Sequence, residues 1–177
     1  MKMKMMVSVL CVMAVGASMA QEQMPEMGPP AELKKLDWMI GEWSGSMNWT
    51  MEGMEGEMTL ALKNEWEGQF MKTTATGEHM GMTFTEVAYM AWDAKEKKLV
   101  SWTFASFAPM PRIEKGTMTG NKIVFISEPW DVPDGGLTVS RATMMKKSDT
   151  EITFVLEFQV DGSWSKVADG GWKKKPA

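Results

Sequence analysis

Glu86 is the residue whose neighbours give it the most chemical meaning. It shares strand parity with Met82, Phe84, Ala88, Met90 and Trp92, so a core on that side of the strand would hold a carboxylate among apolar side chains. Such a group needs a partner or takes a raised pKa. Arg141, with Val139, Thr143 and Met145 on its own face, is the counter-charge the sequence offers. Glu86 as base and Arg141 as anion holder would suit lyase or isomerase chemistry, provided the two converge in one cavity. If the strand tilts, Glu86 instead reaches a solvated mouth. Nucleophilic catalysis finds little support, since His79 is the only histidine and Cys11 the only cysteine, with no Gly-x-Ser-x-Gly elbow. His79 sits in Glu78-His79-Met80-Gly81-Met82, a turn-like stretch, which is a poor place for a haem ligand inside a barrel. No cofactor is expected.

Methionine is the other chemical signal. The chain has 21 methionines, and Met51, Met54, Met80 and Met82 cluster with His79 near Gly53 and Gly81. Thioethers suit Cu(I), so these five residues form a candidate copper site on one rim. Only eight leucines in the whole chain argue that Met more often replaces Leu as flexible core filler.

The elements that must position these groups are mostly strands. Ala31 to Ile40 carries Leu33, Leu36 and Ile40 at helical spacing with Gly41 after them, which predicts one short helix. Beyond it helical periodicity stops. Residues 82–92 alternate, as do Ile152, Phe154, Leu156, Phe158 and Val160 against Thr153, Val155, Glu157 and Gln159. Val100, Trp102 and Phe104 alternate with Ser101, Thr103 and Ala105, and a polar loop at 93–97 joins the two middle runs. Further strands are expected at 42–51, 56–66, 69–78, 112–119, 121–128, 137–146 and 163–173. About ten short strands with tight turns describe an antiparallel meander, and closure removes its adhesive edges. The expected fold is therefore all-β: an up-and-down β-barrel with a short N-terminal helix, ahead of a β-sandwich.

The ends of the chain speak to location. Lys2 and Lys4, the apolar run 5–17 and the small residues Ser18 and Ala20 compose a secretory signal over 1–20. The apolar run is too short to anchor in a bilayer of about 30 Å. Leu10 before Cys11 is too large for a lipoprotein processing site. Residues 21–30 read as a flexible linker and 31–177 as one barrel domain. The leader carries two of the 19 basic residues and none of the 23 acidic ones, so its removal takes the net charge from −4 to −6. That balance, with only Arg112 and Arg141 as arginines, fits neither nucleic-acid binding nor an anionic membrane surface. No integral membrane segment is expected after the signal, and the location expected is secreted or periplasmic.

Gly41-Glu42-Trp43 follows the helix and opens the first strand, where lipocalins and other calycins carry the Gly-x-Trp whose indole plugs the closed end. With Leu36-Asp37-Trp38-Met39-Ile40, the Tyr89-Met90-Ala91-Trp92-Asp93 hairpin and the terminal Trp172-Lys173-Lys174-Lys175, residues 32–175 resemble the bacterial family named domain of unknown function 1579. The resemblance implies a calycin-like barrel, often exported, with a basic residue stacked on the plug Trp. It carries no established reaction. The function expected is thus a binding module holding a small apolar or amphipathic ligand, because ten strands close around more room than side chains fill. Met58, Leu60, Phe84, Glu86, Trp102, Phe104, Arg141, Phe154 and Phe158 are the expected lining. A barrel serving only as a structural unit of the cell envelope is the remaining alternative.

Overall fold

The computed structural model describes residues 28–51, 54–79, 81–132 and 136–176. Among the described residues, twelve strands follow a short helical lead: β1 (Gly41–Met51), β2 (Met54–Glu67), β3 (Phe70–His79), β4 (Met82–Asp93), β5 (Lys98–Ala105), β6 (Arg112–Thr119), β7 (Lys122–Ser127), β8 (Trp130–Val132), β9 (Gly136–Thr138), β10 (Ser140–Ser148), β11 (Glu151–Val160) and β12 (Ser163–Lys174). Ten of them close into an antiparallel barrel in the order β1-β12-β11-β10-β7-β6-β5-β4-β3-β2. The all-β, up-and-down barrel expected from the alternation is the fold observed. The one departure from a plain meander is a two-stranded hairpin, β8–β9, inserted between β7 and β10. Its strands are three residues each, too short to leave a period in the sequence.

The expected helix over 31–40 is shorter and differently wound. An α-helical turn, α1, covers Ala31–Lys34, and a 3-10 turn covers Asp37–Met39. Backbone bonds Leu36 N to Leu33 O, Met39 N to Leu36 O and Ile40 N to Asp37 O all span three residues. That tighter winding stacks Leu33, Leu36 and Met39 in one line, and all three are buried. They cap one end of the barrel, where the turns after β2, β4, β6 and β10 also lie.

Trp43 closes this end. It has no exposed surface, and its indole Nε1 donates to the Met39 carbonyl at 2.7 Å. Asn64 Nδ2 donates to the same carbonyl at 3.0 Å, and Thr73 Oγ1 donates to Asn64 Oδ1 at 2.6 Å. Lys174 Nζ lies 5.4 Å from the Trp43 ring centroid and donates to Trp38 O at 3.0 Å. Trp38 meets Trp43 edge-on at 6.3 Å. Gly41 has φ +119°, and a Cβ there would stand 3.0 Å from Lys174 Cε. Glycine is needed for both the backbone angle and the room.

Candidate functional site

Barrel size decides what lies inside. Side chains just fill an eight-stranded barrel, and here ten strands enclose a cavity of about 810 Å³. Its floor includes Met39, Trp43 and Trp172, and its wall is mostly Met, Leu, Ala and aromatic side chains. It runs to the opposite end, where exposed Met82 and Phe107 stand at the rim. Trp130 of the β8–β9 hairpin also lines that mouth, with Nε1 donating to Ser140 Oγ at 3.2 Å.

Six of the nine residues expected to line the interior do so: Met58, Leu60, Phe84, Glu86, Phe154 and Phe158. Trp102, Phe104 and Arg141 do not. The turn at 94–97 pairs Asp93 with Lys98, and therefore Trp92 with Leu99 and Met90 with Ser101. Asp93 Oδ1 holds that turn by accepting from Lys95 N at 2.8 Å and Glu96 N at 3.0 Å. Cross-strand partners share a face, so Leu99, Ser101 and Thr103 point inward. Trp102 and Phe104 then point out, and Phe104 is half exposed. The apolar alternation in β5 is real, but its phase is the reverse of that expected.

Arg141 is corrected by the same parity rule. Ala142 and Met144 of β10 line the cavity, so Arg141 lies on the outer face. There its Nε and Nη2 donate to Glu157 at 2.6 and 2.7 Å, and its guanidinium stacks 4.5 Å from the Trp164 ring centroid. The guanidinium holds the Glu157 carboxyl below the usual carboxylate range. Glu86 and Arg141 do not meet, which removes the lyase or isomerase built on that pair.

The charged groups that line the cavity, among the described residues, are Glu86, Arg112 and Glu114. They come from β4 and β6, across β5. Thr103 pairs with Arg112 and Ser101 with Glu114, while Glu86 pairs with Ala105. Small residues on the inner face of β5 leave room beside these groups, which stand on three successive inward levels in the order Glu86, Arg112, Glu114. Arg112 Nε is 3.4 Å from Glu114 Oε1, and the guanidinium carbon lies 5.1 Å from the Trp130 ring centroid. Neither Arg112 Nε nor Glu114 Oε1 has a hydrogen-bond partner, though both atoms are buried. Burial pushes the Glu86 carboxyl up; Arg112 pulls it down and Glu114 raises it further.

Arg112 and Glu114 were legible as an i, i+2 pair on one strand face, and Gly116 extends that face. Spacing alone does not say which face of the strand the pair takes. Gly116 faces Phe125 across the β6–β7 ladder. A Cβ at 116 would come within 2.4 Å of Phe125 Cε1, so the ring occupies the space a side chain would take.

The thioether site is placed only in part. Met51 pairs with Met54 and His79 with Met82 in the ladders, which brings both hairpins to the open end as expected. Met82 is exposed at that rim. The side chains of Met51, Met54 and His79, and the whole of Met80, lie outside the described residues, as do the signal segment and Cys11. Among the described residues no group of three or more His, Cys, Asp or Glu side chains is arranged to hold a metal, and no helix is long and apolar enough to cross a membrane.

No family profile matches the chain, and no curated protein matches its sequence. A solved structure does resemble it: the crystal structure of Rv2717c from M. tuberculosis, with a TM-score of 0.65 and 11% sequence identity. The match covers 84% of this chain and 99% of that one. At that identity the likeness concerns the fold alone.

Proposed function

We propose that this chain is an exported binding module that holds a small apolar or amphipathic molecule inside its barrel. The observation that carries the reading is the cavity of about 810 Å³, plugged at one end by Trp43 and reaching the surface at the other. Its volume and apolar wall are those of a small-molecule pocket, with a few polar groups set to orient the guest. Export rests on the leader over 1–20, and kinship with the domain of unknown function 1579 family rests on Gly41, Trp43 and the Lys174 contact with the plug.

Displacement of Nile red, a neutral dye that brightens in apolar surroundings, tests the module. Ala88 lines the wall beside Thr73 and Thr103, and Ala88→Trp would fill the space. The native protein should bind the dye, and the folded Ala88→Trp variant should bind at least ten-fold more weakly. Equal binding by both places the dye elsewhere and overturns the reading.

A further inference from the structure

The cavity's charge does not balance. Among the described residues, two carboxylates and one guanidinium face a space otherwise lined by uncharged groups. The guanidinium is already engaged: Arg112 lies against Glu114 at 3.4 Å and over Trp130 at 5.1 Å. Glu86 is thus the carboxylate left over. Its neighbours facing the cavity from the adjoining strands, Ala75 and Thr73 on β3 and Ser101 and Thr103 on β5, carry no charge.

We propose that the ligand is a cationic amphiphile, with a basic nitrogen seated at Glu86 and an apolar body lying along the cavity toward Trp43. This rests on the binding-module reading and names its ligand class. Three observations carry it. First, Glu86 lines the cavity, yet among the described residues its carboxylate has no hydrogen bond and no ion pair. An ammonium brings three donors and no acceptor, which suits a carboxylate left without a donor. Arg112 Nε and Glu114 Oε1, by contrast, stand 3.4 Å apart as each other's ion-pair partners, so that pair is complete without a guest. Second, the mouth is aromatic. Trp130 meets Phe158 edge-on at 6.2 Å and Phe84 meets Phe107 at 5.7 Å, and ring faces attract a desolvated cation.

The third observation is the cost of the alternative. A fatty carboxylate would place a third anion beside one guanidinium whose charge is already matched. In a site of low polarity that repulsion is severe. The upward displacement of the Glu86 pKa agrees: burial sets its direction, and the pull of Arg112 does not offset it.

The test compares three probes of one chain length, n-decylammonium, n-decanol and n-decanoate, each below its aggregation concentration at pH 7, as competitors of Nile red. Decylammonium should bind at least ten-fold more tightly than either of the others. Glu86→Gln and Glu86→Leu, made separately so that one misfolded variant does not void the test, should each lose at least ten-fold for decylammonium while leaving decanol unchanged. Equal affinity for all three probes, or tighter binding of decanoate, overturns the cationic ligand and leaves the apolar module standing. Failure of every probe, with no dye binding either, overturns both.

Discussion

The Met39 carbonyl is the point where the plug and the barrel wall are tied together, and its two donors make a sharp prediction. Trp43 Nε1 and Asn64 Nδ2 both bond it, at 2.7 and 3.0 Å, in a buried setting. Trp43→Phe removes one donor but leaves the other. The expected cost is about 1 kcal/mol for the bond and about 1 kcal/mol for the smaller ring in a packed site. Asn64→Leu also leaves the carbonyl one donor, and strands the Thr73 hydroxyl that bonds Asn64 Oδ1 at 2.6 Å. Its cost should be about 1–2 kcal/mol. The double variant orphans a buried carbonyl, which adds a penalty of about 1–3 kcal/mol that neither single change incurs. Urea unfolding of the four proteins at constant slope measures the coupling directly. Additivity to within about 0.5 kcal/mol would show that water or a relaxed backbone replaces both donors. The plug would then be held by packing alone.

Arg141→Ala should cost no more than about 1 kcal/mol, because its pair with Glu157 is partly exposed on the outer wall. Nile red affinity should not change, and a ten-fold loss of dye binding would return Arg141 to the site. Gly116→Ala should destabilise by about 1–3 kcal/mol by driving the Phe125 ring from its place. That appears as a fall in Tm of about 2–4 °C per kcal/mol in a chain of this size, and an unchanged Tm would refute the contact. Glu86 and Glu157 should give opposite pH slopes. Glu86 is raised in the fold, so the stability tied to its proton is present below the ordinary carboxylate pKa and lost as pH rises through the folded value. Glu157 is lowered, so its contribution is present above the ordinary value and lost as pH falls through the folded one. Urea unfolding across pH should find the falling limb flattened in Glu86→Gln and the rising limb flattened in Glu157→Gln; unchanged limbs refute the assignments.

Strand existence is most legible where apolar residues repeat at a period of two, as over residues 82–92 and 152–160. Closure was legible because short polar turns join neighbours and leave no room for crossovers. The winding of the helical lead is not legible, since the spacing of Leu33 and Leu36 suits α and 3-10 turns equally. Met39 settles the matter only through its bond to Trp43, a contact with the first strand. Local spacing carries no record of that partner.

The face of each strand was a harder question, and the two arginines show why. Both lie on alternating strands, and nothing local tells whether a charged residue looks inward or out. For β10 the inward side is fixed by pairing: Ala142 sits opposite Phe125 on one neighbour and Leu156 on the other, all three in the wall. Arg141 is thereby sent outward to Glu157. For β6 the phase comes from β5, where Ser101 opposite Glu114 turns the small polar side chains inward. Judged by hydrophobicity alone, β5 should bury Trp102 and Phe104, and the cluster on β6 would then be unreadable. The register inherited from the Asp93 turn overrides that preference. It keeps bulk out of the barrel beside Glu86, and so the charged groups have a cavity to face.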